Sequence, residues 1–88
     1  MHSVFLPTPA RPALVGARDA RTGTPLWMTE TGWDADPARA TLFEDEAIAE
    51  LALLRAMGQP DRVSDAALIE ARRGPAGPLP LGGVAVPA

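Results

Sequence analysis

Proline punctuates the start of this 88-residue chain and proline with glycine crowds its end, and that confines where it can fold. Pro7, Pro9 and Pro12 punctuate residues 1–12, and residues 74–88 hold four prolines and four glycines. Proline cannot donate to a hydrogen-bond ladder, and a Pro/Gly-rich stretch has little apolar surface to offset the entropy of ordering. The pattern predicts an extended arm over 1–12, a single small domain over 13–73 and a flexible tail over 74–88. A domain of roughly 60 residues buries only about 60% of its unfolded surface, so it is marginally stable. The chain has no cysteine, so neither a disulfide framework nor a thiolate metal site can reinforce it.

Several classes of function are excluded early. No apolar run reaches the length of a membrane span, and the N-terminus lacks the basic region and long apolar stretch of a signal peptide. The expected location is the cytoplasm of a bacterial cell. All eight basic residues are arginine, which together with abundant Ala, Pro and Gly points to a GC-rich bacterial or bacteriophage genome. A pI near 4.9 argues against direct nucleic-acid binding, which depends on neutralising phosphates.

Within the central region, residues 13–21 and 26–31 flank the turn sequence Thr22-Gly23-Thr24-Pro25 and read as a β-hairpin. Gly32 allows a second turn, and Trp33 opens a short third strand. Asp36-Pro37 is a helix-start signal for a single turn, since Asp caps free N–H groups and Pro fits the first helical position. Thr41-Leu42-Phe43-Glu44 matches a capping box, so either the main helix starts at Thr41 or, the favoured reading, a short strand through Leu42 and Phe43 leads to a main helix over 45–57. There Ile48, Leu51, Ala52 and Leu54 recur at helical spacing and are expected to face the core with Leu26 or Trp27 and Phe43. Residues 64–73 fit either a second short helix or a strand, with helix ahead on propensity. The fold class read from these elements is α+β: a small antiparallel sheet, a hairpin plus a short third strand, packed against one main helix.

Charge is distributed very unevenly. Residues 30–50 hold seven carboxylates against the single Arg39, while the chain as a whole carries a net charge of −3. Such separation speaks about partners rather than fold. The expected partner-binding residues are Glu30, Trp33, Asp34, Asp36, Glu44, Asp45 and Glu46. Each also has a plainer role. Asp34-x-Asp36 lacks the further ligands of a calcium loop and reads as capping plus solvated charge. Three acids at a helix start are stabilised as anions by the dipole, which disfavours acid–base catalysis. His2 is the only histidine and cannot build a zinc site without thiolates. Ser3 and Ser64 lack the surroundings of a nucleophile. No catalytic residue, metal or cofactor is expected.

One resemblance bears on these residues. Trp27-Met28-Thr29, Gly32-Trp33, Asp36-Pro37, Ala40, Phe43 and the acidic helix start from Glu44 resemble a pattern in small bacterial and phage proteins: a displayed strand, a Gly-Trp turn, Asp-Pro and an acidic helix. It covers about a third of the chain and implies a ββα or βββα unit. In size and acidity the chain also resembles, by type, the anti-CRISPR proteins, a functional class of unrelated sequences that bind nuclease complexes. That resemblance implies a non-catalytic inhibitor that lays an acidic surface on a basic, nucleic-acid-binding site of a larger protein such as a CRISPR effector complex. The alternative is a bacterial antitoxin, regulator or accessory subunit.

Overall fold

The computed structural model describes residues 5–83. The chain runs β1 (Ala13–Asp19), β2 (Pro25–Met28), β3 (Trp33–Asp34), a 3-10 turn (Pro37–Arg39), α1 (Glu46–Met57), β4 (Val63–Gly74) and β5 (Gly77–Pro80). The strands form one antiparallel sheet in the order β3-β2-β1-β4-β5, curled into a half-barrel. The α+β expectation is therefore corrected. Among the described residues strand outweighs helix two to one, 38% against 19%, and they form a mostly-sheet fold carrying one α-helix.

β1 explains the correction. Its residues from Ala13 to Ala17 are all buried, because the sheet is covered on both faces. A buried strand must pair on both edges, since an orphaned buried N–H or C=O is costly. β2 takes one edge, with Gly16 opposite Trp27. The other edge is taken by residues 63–70, with Leu14 opposite Ile69 and Val15 opposite Leu68. The helical propensity of this segment is a few tenths of a kcal/mol per residue and yields to that demand. The second helix expected over 64–73 is thus a strand.

β4 curls because it carries a bulge. Asp65 and Ala66 face the single Ala17, and Asp65 adopts φ 55°. An extra residue of this kind bends the strand and increases its twist. Beyond the bulge β4 pairs with β5, Arg73 opposite Pro78 and Ala71 opposite Pro80. Residues expected to belong to a flexible tail therefore supply an edge strand, where proline's missing donor is tolerated. Gly77 makes the turn possible. Its φ is +138°, and a Cβ there would lie 2.2 Å from the Ala38 carbonyl oxygen. β5 thus closes onto the 3-10 turn.

The arm is docked as far as it is described. Pro7 and Pro12 are buried, and the Ala71 N–H donates to the Pro12 carbonyl at 2.8 Å. Arg11 grips Glu70 with two hydrogen bonds, 3.0 and 2.8 Å, and its guanidinium lies 5.3 Å from the Phe5 ring centroid. The expectations placed on His2 and Ser3 and on residues 84–88 lie outside the described residues.

Two clusters fill the protein. Leu14, Trp27, Ala40, Ile69 and Ala71 pack together with Leu42 at their edge. Val15, Phe43, Ala49, Ala52 and Ala56 form the second cluster, with Met28, Trp33, Ala66 and Leu68 packed against it. Trp27 and Phe43 are core residues as expected. Ile48, Leu51 and Leu54 are not, because the helix presents its alanines to the sheet instead.

Candidate functional site

α1 starts and stops as its sequence dictates. The Asp45 carboxylate caps it, accepting from the Ile48 N–H at 2.9 Å, and Glu46 lies in the first turn. Arg55 lies in the last turn, and the Gly58 N–H closes the C-terminus on the carbonyls of Leu54 and Arg55. Ala49, Ala52 and Ala56 share one face and are almost wholly buried against the sheet. Small side chains there let the helix sit close to the strands. The consequence is on the opposite side: Ile48, Leu51, Leu54 and Met57 are 58%, 56%, 56% and 62% exposed. They follow one another every three residues, a continuous ridge along the helix.

The residues expected to bind a partner do not form one surface. Glu30 and Asp34 line an open polar groove of about 550 Å³ between the β2–β3 loop and the 3-10 turn, together with Arg39 and Thr41. Asp34 is occupied there: its carboxylate accepts from the Asp36 N–H at 2.8 Å and lies 3.9 Å from Arg39. Asp36 caps the 3-10 turn through the Ala38 N–H at 3.0 Å. Trp33 belongs to the other side of that hairpin. It is half-buried against the helix-side cluster, and its indole N–H donates to Gln59 at 3.2 Å. Glu44 pairs with Arg73, and Asp45 is the cap of α1. Glu46 lines a mainly apolar groove of about 360 Å³ with Glu50, Leu6, Leu53, Leu54 and Leu68. Glu30, Glu46 and Glu50 make no ion pair among the described residues.

The carboxylates whose titration the fold shifts lie away from α1. Backbone N–H groups of Arg21 and Thr22 hold the Asp19 carboxyl below its ordinary pKa, with Arg62 adding to them. The Arg11 fork does the same for Glu70. Among the described residues no polar or charged side chain is buried, and no three His, Cys, Asp or Glu residues stand close enough to hold a metal ion.

The surface a reading of apolar periodicity missed is the α1 ridge, with Glu50 and Arg55 beside it. A signal was available: alanines at 49, 52 and 56 have the same helical spacing as the large residues. Either stripe could face the sheet, and the close approach of α1 selects the small one.

The fold and its exposed ridge define a class: a small curled-sheet domain whose lone helix packs by alanines and offers its bulky residues outward. The chain belongs to the DUF2849 family, described as a protein of unknown function, whose model matches residues 13–82. The match spans all five strands and the helix. No curated protein and no solved structure matches the chain. No helix among the described residues is long and apolar enough to cross a membrane.

Proposed function

We propose that this protein is a non-catalytic, protein-binding module of the bacterial cytoplasm that presents the outer face of α1 to its partner. One observation carries the reading: four large apolar side chains on a single helix are each more than half exposed, while the same helix buries alanines. Scattered exposed leucines are ordinary, but a contiguous patch on the order of a few hundred Å² marks an interaction site. The test is site-specific photo-crosslinking in cells. A photoreactive residue replacing Leu51 should trap a protein, and one replacing the exposed Thr22 on the β1–β2 turn should not. The reading fails if position 51 traps no protein at all.

A second reading is the acidic inhibitor, in which a basic partner of the kind engaged by anti-CRISPR proteins is recognised by charge. Glu30, Glu46 and Glu50 favour it, having no ion pair among the described residues, while Asp34, Asp36, Glu44 and Asp45 are engaged within the chain. Reversing Glu30 and Glu46 to lysine should then slow association with the trapped partner and flatten its salt dependence. Unchanged association and an unchanged salt slope would remove this reading.

A further inference from the structure

We infer that a second copy of this chain covers the outer face of α1, in a two-fold pair with the two helices parallel. Leu51 and Leu54 of each copy face the same residues of the other, and Glu50 faces the partner's Arg55. The inference rests on the reading of α1 as an interaction surface and supplies its partner.

The placement of charge around the ridge identifies the occupant. Let Leu51 and Leu54 occupy the two seam positions of a seven-residue helical frame. Ala49, Ala52 and Ala56 then fall on the far side, where they are buried against the protein's own sheet. Glu50 and Arg55 fall on opposite flanks of the seam, five residues apart. That spacing is the one bridged between parallel helices, where the flank residue before one seam meets the opposite flank residue five positions on in the other helix. Two-fold symmetry makes the pair twice. Antiparallel helices would set each flank against the same flank of the other helix, so Glu50 would not meet the partner's Arg55. Neither residue has an ion pair within the described chain, so both are available.

A two-fold interface requires one patch to complement itself, and this one does so in charge. Ile48 and Met57 flank the seam on opposite sides and widen it. The sheet of each copy lies behind its helix, so the two half-barrels point away from each other. The helix has 12 residues, so the contact is about 18 Å long. An interface of that length is at the small end of specific contacts, and the pair dissociates on dilution.

Sedimentation equilibrium on the full chain tests this. The mass should reach twice the 9.2 kDa protomer in the high micromolar range and fall towards one protomer on dilution. Glu50→Arg and Arg55→Glu should each weaken association about tenfold or more, and the double exchange should restore it. Leu51→Gln should abolish it. All three substituted positions are exposed, and circular dichroism would confirm the fold. A parent chain that stays monomeric throughout overturns self-association. A dimer indifferent to the charge reversals overturns the parallel pairing. The crosslinking experiment separates this failure from that of the broader reading. A different protein trapped at position 51 by a monomeric chain sinks the pair but keeps α1 as a binding face. No trapped protein, with a monomeric chain, sinks both.

Discussion

β1 and α1 both carry runs of apolar residues, yet the fold uses them in opposite ways. β1 buries residues on both its faces: Leu14 joins one cluster and Val15 the other. α1 buries only alanines and turns Leu51 and Leu54 to solvent. The strand holds the protein together, while the helix covers one side of the sheet with its smallest residues. Hydrophobicity alone therefore does not identify core. What decides is whether the neighbouring surface leaves room for a leucine or only for a methyl group.

The sharpest way to break this comparison is Leu14→Ala. Leu14 is 0% exposed, and truncation should cost about 2–5 kcal/mol, which a domain of this size can barely absorb. Urea denaturation would measure it, and a cost below that of an ordinary surface substitution would show that β1 is not the centre. Ala52→Leu asks the complementary question. A bulkier side chain on the inner face of α1 should push the helix off the sheet at about 1–3 kcal/mol, by the same measurement. If the larger residue stabilised the protein, the close helix–sheet contact would be wrong.

Leu51→Gln should change the stability of the dilute protomer by no more than about 0.5 kcal/mol, because the side chain already faces solvent. Low protein concentration matters here, since self-association would add to apparent stability. A large loss would return Leu51 to the core. The smallest effect concerns acid. Asp19 and Glu70 both have lowered pKa values in the folded protein, so the unfolded chain takes up their protons first. Their contribution is whole above the ordinary carboxylate range and is lost as pH falls through it to the depressed values. Both groups meet solvent, so the loss is modest. Replacing Arg11 with Gln should remove the Glu70 part of it, seen as a shallower decline of thermal stability with acid. An unchanged decline would show that the Arg11–Glu70 pair adds nothing to stability.

Much of the local structure is legible in the residues. Asp45 and Gly58 bracket the helix by capping, Gly23 and Pro25 mark the first hairpin, and Trp33 opens a short strand as its glycine turn implies. These signals act over three or four residues and need no distant partner. The site was less legible. Seven acids in one segment read as a single surface, but the fold scatters them among two caps, two ion pairs and separate grooves. Charge counted along a chain does not say which charges share a face.

By itself the sequence determined where α1 begins and ends, that β1 and β2 turn back on each other, and that no thiol chemistry is present. Local sterics and capping hydrogen bonds decide the first two, and composition the third. Only the tertiary structure decided that residues 63–74 are strand, that Gly77–Pro80 adds an edge, and which stripe of α1 faces inward. Each of these depends on a contact far away in sequence: the open edge of β1, the Ala38 carbonyl against Gly77, and a sheet close enough to admit alanine but not leucine.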